Sequence, residues 1–196
     1  MKRSLLSWPG AALIALLALS GTALACSDHE DPAVGRDRLA ANYPGALDIL
    51  PAVAAARRER LLPPANPMAT LWTDKFPLQR HIRAVEKFQD ALNLAARGGA
   101  PIAFSMVMIE PMLWTRYAPA EGRAQAIVHT ERAEPGELVL VSAEDVISAI
   151  GDGRWNIGEA HAAGWLGLHG SPEQVAAFLA FYGNNRSPRA ATLVSP

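Results

Sequence analysis

One cysteine, Cys26, stands in the 196-residue chain, and a single thiol cannot build an intrachain disulfide framework or a Cys-x-x-Cys redox or zinc motif. The glycine patterns that cradle phosphates and dinucleotides are absent, as is a haem attachment motif, so no cofactor is expected. No serine lies in a Gly-x-Ser-x-Gly elbow. Charge of one sign is lacking too: 18 Lys and Arg stand against 19 Asp and Glu, a formal charge of −1. That balance offers no electrostatic footprint for nucleic acid or for an anionic membrane surface, and neither partner is expected on charge.

Long apolar runs are also missing, with one exception at the start. Lys2 and Arg3 precede Ala11 to Leu19, and Ala23-Leu24-Ala25 follows. A basic start, an apolar run too short to span a bilayer and a small-x-small cleavage site make 1–25 a secretory signal peptide, which predicts an exported, periplasmic protein. Its loss takes away two positive charges and no acid, so the mature chain is the more negative. Cys26 then falls directly after the cut. Acylation there would make a lipoprotein, the one route to membrane attachment. Lipoprotein signals usually carry Leu three residues before the cysteine, whereas Ala23 occupies that place here, and the other reading is a plain thiol near the new N-terminus.

What is present reads as one folded module behind an arm. Residues 26–71 form that arm. Cys26 to Asn42 is polar and without period, a tether. Val53 to Leu62 is a short helix with Arg57, Arg58 and Arg60 complementing its C-terminal dipole, and Pro63 to Thr70 is a Pro-rich linker. His29 with Asp28, Glu30 and Asp31 has metal-binding atom types, but no second histidine stands at ligand spacing, and a solvated cluster explains it. The domain proper spans 72–183, with 184–196 as a tail. Pro77 to Arg97 carries Leu78, Ile82, Val85, Leu92 and Ala95 on one helical stripe, with Phe88 beside it, and Gly98-Gly99 ends it.

After Gly99 the period changes to two. Ile102, Phe104, Met106 and Met108 share one face of a strand; Ala103, Ser105, Val107 and Ile109 share the other, itself apolar at its far end. Strands follow over Met112–Tyr117, Ala124–Glu131 and Leu138–Val141, read as a four-strand meander, with a fifth over Trp165–His169. Between and after them come helix signals. Ser142 with Asp145, and Ser171-Pro172 with Gln174, are capping-box patterns, and Gly164 and Gly183 stand where helices end in a left-handed residue. Segregated strands and helices predict an α+β fold: a single, mainly antiparallel five-stranded sheet with helices packed on one face.

The ending carried by Val139-Leu140-Val141-Ser142, Asp145, Ile150-Gly151-Asp152-Gly153, Ala160 to Gly164 and Trp165-Leu166-Gly167-Leu168-His169-Gly170 resembles the sterol carrier protein type 2 domain family. Counting the preceding strands and helix, the resemblance covers about Trp72 to Tyr182. It implies a five-stranded sheet covered by helices around an apolar tunnel for a lipid or similar ligand, and it supplies no catalytic motif. Two features depart from it: the export signal, and the MIEPMLWTRY stretch with its internal Pro111.

Two kinds of residue are candidates for function. Phe104, Met106, Met108, Met112 and Trp114, with Phe178 on the closing helix, offer the adaptable thioether and aromatic surfaces of an apolar ligand wall; an ordinary packed core needs the same residue types. His129 and Glu131, two apart on a strand, would share a face and make an acid–base or metal pair, or else the solvated side of an edge hairpin. The expected function is an exported, non-catalytic protein holding a lipid or other apolar small molecule between sheet and helices. The alternatives are a cell-envelope interaction module with a protein partner, and a small metal-dependent hydrolase.

Overall fold

A computed structural model describes residues 31–62, 77–96 and 99–183. The signal segment, Cys26, the acidic run before Asp31, the Pro-rich linker and the tail lie outside the described residues. The elements are α1 (Pro32–Asn42), α2 (Ile49–Arg58), α3 (Pro77–Ala95), β1 (Phe104–Met108), β2 (Leu113–Ala120), β3 (Arg123–Val128), β4 (Val139–Ser142), α4 (Glu144–Gly151), α5 (Ile157–Ala162), β5 (Leu166–His169) and α6 (Pro172–Tyr182). The fold is α+β, as its segregated periods predict.

The five strands form one sheet in the order β3-β2-β1-β4-β5. Three neighbouring pairs are antiparallel, and β1 and β4 run parallel. The sheet is therefore mainly antiparallel, but the four-strand meander is corrected: β1 to β3 meander, and the chain then crosses back to lay β4 beside β1. Burial explains the crossing. Every residue of β1 and of β4 is buried, while β3 alternates between exposed and covered positions. A strand apolar on both sides belongs in the middle of a sheet with both faces covered. Placed beside β3, Val139 and Val141 would have met water at an edge.

Strand register sorts the side chains. Phe104, Met106 and Met108 share a face with Leu113, Thr115, Tyr117, Leu140 and Leu168; Ser105, Val107, Trp114, Arg116, Val139, Val141 and His169 point the other way. The first face meets Val85, Phe88 and Leu92 of α3, Val146 and Ile147 of α4, and Phe178 and Tyr182 of α6 in one continuous core. The second face is covered as well. Leu39 of α1, Ala46 and Ile49 pack with Val107, Ile109, Val139 and Val141, while Val53 and Ala56 of α2 join the first core. Packing on one face thus describes α3 to α6, while α1 and the start of α2 take the other, whose four aliphatic side chains would otherwise face water.

Residues 32–42, read as a tether, are helical. Leu39 is the one buried residue of α1, which is why no apolar period marks it. Arg36 fastens the helix to the sheet by donating to the carbonyls of Ile109 and Glu110.

Helix-end signals divide in the same manner. Ser171 caps α6 with its Gln174 partner and Pro172 in place. Ser142 caps nothing: it ends β4, its hydroxyl donates to the Trp165 carbonyl, and Ala143 is the N-cap of α4. Asn156 and Glu159 form a second full capping box at α5. Gly164 is left-handed at φ +72°, whereas Gly183 stays right-handed at φ −68°.

Candidate functional site

The apolar wall expected between sheet and helices is solid. Phe104, Met106, Met108 and Phe178 are 0 % exposed, so no water-sized space adjoins them. The Phe104 ring stacks on Tyr117 at 4.9 Å and meets Phe178 edge-on, also at 4.9 Å. The Tyr117 hydroxyl donates to the Val85 carbonyl, and the Tyr182 hydroxyl accepts the Ile102 N–H. These four residues are brought together as core.

Met112 and Trp114 are not part of that cluster. Trp114 lies opposite Val107 in the β1–β2 register and so projects from the second face. Met112 occupies the turn before β2 at φ +49°, with its side chain against Gly35 of α1. The Pro111 turn shifts the alternation by one residue, which divides a Met-aromatic run that is continuous in sequence.

His129 and Glu131 do not form a facing pair. β3 ends at Val128, His129 turns to φ +61°, and both residues are exposed. Among the described residues no group of three or more His, Cys, Asp and Glu could hold a metal ion.

Two concave places stand out among the described residues. The smaller, about 270 Å3, is a crevice between α3 and α4 bordered by Asp90, Leu94, Ile150, Gly153 and Tyr182; it falls below the usual ~300–1,000 Å3 of small-molecule sites. The larger, about 490 Å3, is an open groove on the second-face side, lined by Asn42 to Pro44, Gly136-Glu137, Leu168 to Ser171 and Gln174.

That groove is built by four separate stretches. Strand parity points His169 to the second face opposite Val139, and Gly167, two residues earlier, leaves room for the ring: a Cβ there would lie 3.2 Å from His169 Nε2. Tyr43 extends α1 by donating its N–H to the Leu39 carbonyl at 2.8 Å. Its ring reaches His169 at 5.7 Å and Trp114 at 6.1 Å. Glu137 closes a turn through its N–H to the Glu134 carbonyl. Its carboxylate accepts from Ser105 Oγ at 2.6 Å and Arg116 Nε at 3.0 Å. Gln174 ties the far wall, donating to the Gly136 carbonyl and accepting the Ser171 N–H.

The electrostatics of the groove are muted. Burial pushes the Tyr43 phenol above its ordinary value and the His169 imidazole below its own, so both are neutral at pH 7. Glu137 is charged but spoken for by Ser105 and Arg116. The one buried polar atom of the lining without a hydrogen-bond partner is His169 Nε2. Ser105, beneath the groove, is fully buried and donates its hydroxyl to Glu137, while Ser171 on the lining donates to Glu173.

The chain matches no family model, no curated protein and no solved structure. The groove residues that sequence reasoning did not single out as a site are Tyr43, Glu137, Leu168 and His169. Tyr43 lies in the arm just past the stretch read as tether, and Glu137 just before the strand read over Leu138–Val141. The parity of Trp165–His169 alone would have set His169 and Gly167 on one face.

Proposed function

We propose that this is an exported, non-catalytic protein that binds a lipid or other apolar small molecule, and that the ligand lies in the groove between the α1–α2 turn and β5. The observation that carries the reading is the groove itself: about 490 Å3, within the size of small-molecule sites, with the apolar surfaces of Tyr43 and Pro44 beside the polar Asn42, Glu137, His169, Ser171 and Gln174. Export rests on the signal-like residues 1–25. None of the helices among the described residues is long and apolar enough to cross a membrane. A carrier role rests on the resemblance of the sequence ending Val139 to Gly170 to sterol carrier domains. The tunnel that the resemblance implies would compete with Phe104, Met106, Met108 and Phe178 for the same space, and this favours the groove as the site.

Native mass spectrometry of protein purified from its own envelope tests the proposal. A stoichiometric small-molecule adduct is expected on the wild type, with occupancy at least about tenfold lower in Tyr43→Ala, the loss that ~1.4 kcal/mol of aromatic contact produces. Recovery of wild-type protein without any adduct would count against a ligand-binding role.

A further inference from the structure

His169 sits where the N-terminal cover meets the sheet. Its ring packs beneath Tyr43, and its Nε2 lies over Gly167, as does Ile49 Cγ2. Tyr43 and Ile49 both belong to the stretch 39–49 that seals the second face. A neutral imidazole nitrogen buried there forgoes one hydrogen bond. An imidazolium would place an N–H donor and a positive charge at the same point with nothing to receive them, a far larger cost.

The neighbouring groups offer no relief. Glu137, on the groove wall, has its oxygens taken by Ser105 and Arg116. Glu173, at the exposed start of α6, accepts from Ser171 Oγ. Asp48, on the α1–α2 turn, is exposed and packs against Gly45. Tyr43 is kept neutral by burial. β4 presents Val139, which carries no charge.

We propose that His169 is an acid-sensitive latch: neutral, it lets residues 39–49 close over the second face, and protonated, it releases them. This goes beyond the ligand reading and does not depend on it. The sign follows from linkage. The closed form holds the His169 proton less readily than the released chain, whose imidazole titrates near 6.5. Closure is therefore fully stabilised above that pH and weakens as pH falls through the lower value of the closed form.

Amide hydrogen exchange on the full chain at pH 7.5 and 5.0, corrected for intrinsic rates, tests the latch. Peptides spanning 39–49 should lose about tenfold in protection at pH 5.0, since the uptake of one proton on release changes the equilibrium by up to tenfold per pH unit; β1 peptides should stay level. In His169→Phe, and separately in His169→Gln, protection over 39–49 should hold constant within about twofold, because neither side chain titrates. Equal protection of the wild type at both pH values, or the same tenfold loss in both variants, would overturn the proposal. Should neither variant fold, the ring titration of His169 by NMR in the native protein decides: a midpoint below 6.5 supports the latch, and one at or above 6.5 refutes it.

Discussion

At Gly151 the crossing of α3 and α4 leaves no room for a side chain. An added Cβ would lie 2.7 Å from Lys87 Cβ and 2.9 Å from the Lys87 backbone carbon. Backbone cannot swing aside as a side-chain tip can, so Gly151→Ala should destabilise the protein by about 1–3 kcal/mol, the usual penalty of overpacking. Urea unfolding measures it, and a loss below about 0.5 kcal/mol would show that the helices slide apart freely. Residue-scale features of this kind were only partly legible in the sequence. Gly151 stood out only as part of the Ile150-Gly151-Asp152-Gly153 pattern, which does not say what approaches it. Ser142 offered a capping box that β4 overrode by running one residue further, into a bond with Trp165. Local polar signals lose where a strand position is buried on both sides.

Between elements, the two edges of the sheet are finished differently. On β3 the outward N–H groups of Ala124 and Ala126 are received by Asn93 and Gln89 of α3, and Asn93 also donates to the Ala124 carbonyl. Four residues of helix rise about 6 Å and two of strand about 6.7 Å, so side chains at i and i+4 meet alternate amides. An edge sealed in this manner does not template a second copy. The Gln89→Ala, Asn93→Ala double variant removes three hydrogen bonds, each worth about 0.5–1.5 kcal/mol, and uncovers the edge. Lower stability in urea and concentration-dependent association in sedimentation velocity are the expected results; a stable monomer would show the edge protected by other means. The helix itself was plain in the sequence, from its stripe and its terminal glycines, but Gln89 is no part of that apolar set and its bond to the sheet edge has no sequence signal. Strand positions were legible through their period of two. Their order was not: the apolar run Val139–Val141 was read as the last strand of a meander, whereas β4 lies between β1 and β5.

Over the whole molecule, a single sheet separates two apolar layers, one large beneath α3 to α6 and one smaller beneath α1 and the start of α2. The larger layer is filled around Phe104, Met106, Met108 and Phe178, and the resemblance-bearing residues are shared between the layers, with Val139 and Val141 in the smaller. The smaller holds the groove. This division is why the fold class could be read from the chain and the site could not. Periodicity reports which residues are buried, but the groove draws its lining from residues 42–44, 136–137 and 168–174, and no local pattern links them. The Met and aromatic residues that stood out in sequence are mostly occupied with packing. The measurement that tests the central claim most directly is a comparison of 1H–15N spectra of envelope-purified protein before and after its copurified small molecule is stripped. The account predicts shifts concentrated at Tyr43, Glu137, Leu168 to Ser171 and Gln174, with Phe104, Met106, Met108 and Phe178 unmoved. Shifts concentrated at those four interior residues instead would contradict it and place the ligand between the sheet and its larger helical layer.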